Sequence, residues 1–163
     1  MSLKTILVAS LAALSVAAPA PQFGTSTTTT KNDVVNGGAC KPYTFFFARG
    51  TTETGNMGST VGPALETAIE NLVGGSAKLS TQGITYPADI AGTYIGSVSP
   101  QNAEGAKTMA TLVNQVKSKC PDTKVIIGGY SQGAQQVHGA LINLKQGDVA
   151  VSSNTEDGIM PCY

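Results

Sequence analysis

The sequence predicts an α/β protein three layers deep, α/β/α, with a parallel sheet at its centre, and three observations lead there. Strand-like and helix-like patterns alternate from Tyr43 to Leu144, the order that builds a parallel sheet through right-handed crossovers. Val125, Ile126 and Ile127 form a short β-branched run without polar alternation, as a strand covered on both faces does. Between that run and a helical pattern stands Gly129-Tyr130-Ser131-Gln132-Gly133, a serine framed by glycines where a strand turns sharply into a helix.

The elements follow in order. Lys4 precedes an apolar run from Ile6 to Val16 that ends in Ala17, Ala18 and Pro19, so residues 1–18 read as a secretory signal peptide, too short in its apolar part to span a bilayer. Residues 19–38 read as a disordered leader, because the Thr/Ser stretch at 25–30 has nothing to bury and is a candidate for O-linked sugars. A partial α/β domain is expected over 39–146 and a divergent tail over 147–163. Within the domain, Tyr43–Ala48 is a buried strand carrying Phe45, Phe46 and Phe47, and the Gly/Thr-rich 51–59 is a loop. Thr60 is placed to cap a helix starting near Val61, with Leu65, Ala68, Ile69 and Leu72 on its apolar face and Gly74-Gly75 as its stop. A second, weaker strand at 79–86 ends before Pro87. Ser99 is expected to cap a helix with Pro100 at its first position, whose face of Ala106, Met109, Ala110, Val113 and Val116 runs toward Lys119-Cys120-Pro121. A strand at 124–128 and a helix at 132–144 complete the pattern.

Composition narrows the function. The 163 residues carry 10 basic and 10 acidic side chains, so no field steers this chain toward nucleic acid or an anionic membrane. No metal-ligand cluster, phosphate loop or cofactor motif is visible; no metal and no cofactor are expected. Secretion would put the three cysteines in an oxidising compartment. The pairing favoured is Cys40 with Cys120, each at the edge of an element; closing that loop stabilises by roughly 4 to 5 kcal/mol in the chain-entropy view. Cys162 is then odd, as if a partner were lost or intermolecular.

A serine hydroxyl attacks only when a base removes its proton and donors receive the oxyanion. One donor is the backbone N–H of Gln132, the residue after the nucleophile; a second is expected from the loop Arg49-Gly50-Thr51-Thr52-Glu53-Thr54-Gly55-Asn56.

In three places together, Ala48-Arg49-Gly50-Thr51-Thr52-Glu53-Thr54-Gly55-Asn56, Lys119-Cys120-Pro121 and Gly128-Gly129-Tyr130-Ser131-Gln132-Gly133-Ala134, the chain resembles the cutinase family of fungal secreted esterases. The resemblance implies an α/β-hydrolase core without a large lid, a monomer, and hydrolysis of cutin polyester and short-chain esters outside the cell. It implies Ser131 as nucleophile, the Thr51 hydroxyl and N–H with the Gln132 N–H as oxyanion hole, and a Cys40 to Cys120 disulfide. Acetylxylan esterases look similar over the same region.

In this fold the acid and histidine of the triad follow the serine along the chain. Past Leu144 the sequence offers a polar tail with no histidine, so the C-terminal strands are expected to be missing and turnover by these residues to be impaired. His138 lies seven residues after Ser131 on the same helix, roughly 10 Å along its axis and out of reach as a base. Asp148 and Asp157 have no triad role without an imidazole. A sheet ending at the strand 125–127 would leave an open edge prone to aggregation, which reads as a truncated or mis-spliced esterase. The alternative function is a non-catalytic secreted module that keeps the scaffold to bind a surface.

Overall fold

The computed structural model describes residues 28–146 and the strand 159–162. The expected signal segment at 1–18, the first part of the leader, and Asp148 and Asp157 lie outside the described residues. Four parallel strands form the sheet: β1 Tyr43–Ala48, β2 Leu79–Gly83, β3 Lys124–Gly129 and β4 Ile159–Cys162, in the order β2-β1-β3-β4.

Strand β1 explains the layers. Its side chains alternate between faces. Phe46 and Ala48 join Val125 and Ile127 in a core with Met109, Val113, Val137 and Leu141, whereas Phe45 and Phe47 join Ile126, Met57 and Ile69 in a second core on the other side. The first core packs against α3 Glu104–Lys119 and α4 Gln132–Gln146, the second against α1 Gly62–Val73. The expected three-layer architecture is therefore present, and the apolar face expected of α3 is buried throughout, from Ala106 to Val116.

Several expectations need correction. The leader reaches less far than residue 38: the Thr29 carbonyl accepts from the Asn56 and Met57 N–H groups (3.0 and 2.9 Å), and from Lys31 the chain lies on the outer edge of β2, where Gly83 donates to the Lys31 carbonyl (2.9 Å), Asp33 donates to the Thr81 carbonyl (3.1 Å), and the Asp33 carboxylate accepts from the Thr81 N–H (2.9 Å). That strap is why Ser80, Thr81 and Gln82 are buried although polar. In α1, Leu72 is 85% exposed and the buried stripe runs through Gly62, Glu66 and Ile69. Glu66 is tolerated there because Lys31 of the strap meets it at 2.9 Å. Thr60 does not cap α1; Val61 holds the N-cap position without a side-chain bond, and the Thr60 N–H goes to the Glu53 carboxylate.

Between β2 and α3 a helix appears that the apolar period does not announce, α2 Ile90–Val98, capped by Asp89, whose carboxylate accepts from the Gly92 N–H at 2.7 Å. Pro100–Asn102 forms a separate 3-10 turn, so the helix after Ser99 begins at Glu104. The sheet also does not stop at β3. Residues 159–162 pair with it in parallel, Val125 opposite Ile159 and Gly128 opposite Cys162, so the edge of β3 is covered. Four residues are too few for strand alternation to register, and Pro161, which has no N–H to give, suits an outermost strand.

The expected disulfide is formed. Cys40 and Cys120 are joined with Cα atoms 5.6 Å apart, 80 residues apart in the chain, and they tie the start of β1 to the end of α3.

Candidate active site

The site is built where the chain reverses its direction of travel across the sheet. From β1 it moves outward to β2, then returns past β1 to β3. Ligand crevices in open parallel sheets form beyond the carboxyl ends of the strands at such a switch point. Both Ala48 at the end of β1 and Gly129 opposite it at the end of β3 feed loops into that crevice.

Ser131 stands on the bend between β3 and α4 with φ +54°, a left-handed conformation that costs a residue bearing a Cβ about 1 to 2 kcal/mol. The turn is cramped. A Cβ on Gly129 would lie 2.3 Å from the Gly133 carbonyl oxygen, and a Cβ on Gly133 1.9 Å from that of Ala48, so both glycines are steric requirements. The bend is closed by the Gly133 N–H donating to the Tyr130 carbonyl (2.8 Å) and the Ala134 N–H to that of Ser131 (2.9 Å), while the Tyr130 N–H anchors it to Ala48 at 3.1 Å. Ser131 is left exposed, and Gln132 begins the helix directly after it.

The loop after β1 faces this bend. A Cβ on Gly50 would come within 2.9 Å of the Tyr130 ring, so Thr51 and Ser131 each stand one residue beyond a direct contact. Thr51 is half-buried; Thr52 is left-handed at φ +60° and donates its N–H to the Ala88 carbonyl at 2.7 Å. The sequence motif hides how this loop is held. Arg49 and Glu53 do not pair through their charged ends: Arg49 donates from Nε to the Glu53 carbonyl (2.8 Å) and from its guanidinium to the Tyr86 carbonyl (2.8 Å), and lies 5.1 Å from the Tyr86 ring centre. The Glu53 carboxylate instead accepts from the N–H groups of Gly50 (2.7 Å), Thr60 (2.8 Å) and Ser59 (3.1 Å). Burial pushes its pKa up, but the donors of Thr60, Gly50 and Ser59 outweigh it and hold the carboxyl below its ordinary value. Tyr86 donates its hydroxyl to the Arg49 carbonyl, and burial pushes that hydroxyl up to about 12 despite the Arg49 cation beside it.

Among the residues expected at the site, Thr51 lies on the loop leaving the end of β1 and Ser131 and Gln132 on the bend leaving the paired end of β3, the two segments meeting at Gly50 and Tyr130. Among the described residues no base is brought to them: His138 is on the exposed side of α4, two turns past Ser131. Arg49, Glu53, Tyr86 and Ala88, which shape the loop, are legible in sequence only as parts of a motif or of a strand end; their pairings are between distant segments.

The family model of the cutinases matches residues 39–159. The chain belongs to the cutinase family. Among its relatives are cutinase 4 of Emericella nidulans, 46% identical over 81% of this chain and 55% of the relative, and cutinase of Botryotinia fuckeliana, 47% identical over 63% and 48%. Among solved structures, cutinase of Trichoderma reesei in complex with a phosphonate inhibitor superposes with a TM-score of 0.61 at 37% identity, over 72% of this chain and 49% of that one. The chain thus spans about half the length of the cutinases it matches.

Proposed function

We propose that this cutinase-family chain is the nucleophile-bearing part of a secreted carboxylic ester hydrolase. The observation that carries the proposal is Ser131 in a left-handed bend between two obligatory glycines at the switch point of the sheet. Such a bend lifts the hydroxyl clear of the sheet, where it can attack a carbonyl carbon, and turns the following N–H of Gln132 toward the developing oxyanion. The Thr51 N–H and hydroxyl are the second donor, and water then releases the acyl group from Ser131. Proton transfer from Ser131 requires an imidazole that no described residue brings within reach. The substrates this reading favours are cutin polyester and short-chain esters, with acetylated xylan as the alternative. Secretion rests on the N-terminal residues 1–18 and fits the Cys40–Cys120 disulfide.

The test is to treat the folded chain with a p-nitrophenyl alkylphosphonate and locate the adduct by peptide mass spectrometry. Attachment to Ser131 when imidazole is supplied in the buffer as the base, lost in Ser131→Ala, is expected, with p-nitrophenyl butyrate turnover far below that of a full-length cutinase. A folded sample left unlabelled would reject the nucleophile. The second reading, a non-catalytic surface-binding module, is favoured by one observation: Ile90, Tyr94 and Val98 on α2 are 76%, 68% and 59% exposed. It predicts adsorption to polyester film without labelling.

A further inference from the structure

Among the described residues, three that are not glycine have a left-handed backbone: Ser131 at φ +54°, Thr52 at +60° and Ala88 at +51°. All three belong to the candidate site or to the segment packed on it. Ser131 makes the bend, and Thr52 meets Ala88 directly, its N–H donating to the Ala88 carbonyl at 2.7 Å. Residues with a Cβ stay in this conformation only where the surrounding structure over-determines them, so the loop after β1 and the segment 86–88 must be locked together.

The lock is a reciprocal clasp. Tyr86 donates its hydroxyl to the Arg49 carbonyl, and the Arg49 guanidinium donates back to the Tyr86 carbonyl at 2.8 Å. The same Arg49 carbonyl abuts the nucleophile bend: a Cβ on Gly133 would stand 2.8 Å from its oxygen, as one on Gly50 would stand 2.9 Å from the Tyr130 ring. The Arg49-Gly50 peptide is therefore held between Tyr86 and the two residues that flank Ser131-Gln132. Thr51 follows it, and both its neighbours have spent their N–H groups, Gly50 on the Glu53 carboxylate (2.7 Å) and Thr52 on Ala88. The Thr51 N–H makes no hydrogen bond among the described residues, which leaves it available to an oxyanion.

We propose that Tyr86 is a positioning residue for the oxyanion donor: its hydroxyl, by holding the Arg49 carbonyl, fixes the Thr51 N–H relative to Ser131. The role of Thr51 rests on the esterase reading, whereas the clasp itself does not. Without that hydroxyl, the carbonyl of a residue only 9% exposed loses its partner, and the peptide turns toward another donor, carrying Gly50 and Thr51 with it.

Tyr86→Phe removes the hydroxyl and keeps the ring beside Arg49. With imidazole in the buffer as the base, labelling of Ser131 is followed over a range of p-nitrophenyl alkylphosphonate concentrations, which separates the limiting rate from the half-saturating concentration. The limiting rate is expected to fall roughly tenfold, less than for outright loss of an oxyanion donor, while the half-saturating concentration stays within about twofold. Thr123→Val is the matched control, since Thr123 is also a buried hydroxyl donating to a backbone carbonyl, that of Lys41 at 2.8 Å, at the other end of the sheet; it is expected to keep both values. An unchanged limiting rate in Tyr86→Phe, or equal slowing in Thr123→Val, overturns the positioning role and leaves the nucleophile standing. A parent chain that is not labelled rejects the esterase reading and the role of Tyr86 with it. Amide exchange in the parent reads the clasp without any substitution, and so decides even if Tyr86→Phe does not fold: the Thr52 N–H is expected to exchange at least about a hundredfold more slowly than an unprotected amide, and exchange at the unprotected rate overturns the lock.

Discussion

Ser131 carries a backbone conformation that glycine would adopt freely, at a position where only a hydroxyl is useful. With φ at +54°, Ser131→Gly is expected to raise the unfolding free energy by about 1 kcal/mol while abolishing phosphonate labelling; a lower urea midpoint would show that the bend stores no strain. Gly129 and Gly133 cannot trade places with it, because each abuts a backbone carbonyl. Glu53 acts at the same scale. Its carboxyl is held below the ordinary 4.5 in the folded chain, so the stabilisation it contributes is complete above about pH 4.5 and is lost as pH falls through the lower folded value. Unfolding followed by urea between pH 6 and pH 3 is expected to show that loss in the parent chain and a shallower one in Glu53→Gln; parallel profiles would remove Glu53 from its assigned place. The motif holding Arg49, Thr51 and Glu53 is readable in the sequence, but that Arg49 and Glu53 each spend their polar ends on backbone is not, since the geometry of the turn decides it.

Among the elements, the strap from Thr29 and the helix α2 carry the main lessons. The strap covers the outer edge of β2, and Asn56 grips it from the loop after β1: its Oδ1 accepts from the Lys31 N–H at 2.9 Å and its Nδ2 donates to the Asn32 side chain at 2.8 Å. The Lys31 ammonium is drawn down by burial, yet hydrogen bonding and attraction to Glu66 outweigh this and raise it above its ordinary 10.5, so that share of stability is present below that value and fades as pH rises through the folded one. Lys31→Ala strands a carboxylate that is 3% exposed. The expected loss is about 2 kcal/mol, below the figure for a wholly buried pair because Lys31 is partly solvated, and Lys31→Met with Glu66→Leu is expected to recover most of it; equal losses in the single and double variants would rule out the pair. A Thr-rich composition gives no sign of this strap, because its bonds are made to an edge formed 50 residues later. Helix α2 escapes a reading of apolar period for a related reason: its apolar residues face outward, leaving Asp89 at its N-cap as the main sign in the sequence.

For the whole molecule, the sheet, the second-face helix and the disulfide close one unit in which local bends become a site. Joining Cys40 to Cys120 closes a span of 80 residues, and Cys40→Ser with Cys120→Ser is expected to lower stability by about 4 kcal/mol in urea unfolding; a loss under about 1 kcal/mol would mean that the start of β1 and the end of α3 stay together unaided. The three layers, the strands β1 and β3, the helices α1, α3 and α4 and the bend at Ser131 are legible in the amino-acid sequence because local periodicity, glycine sterics and motif order are written within short windows, and the cysteine pair is legible because each cysteine stands at the edge of an element. The folded chain adds the cover of β4 on the edge of β3, a charged residue in the buried face of α1 and the strap that seals β2. Each of these is a pairing between segments far apart in the chain, and its free energy exists only once both are desolvated together.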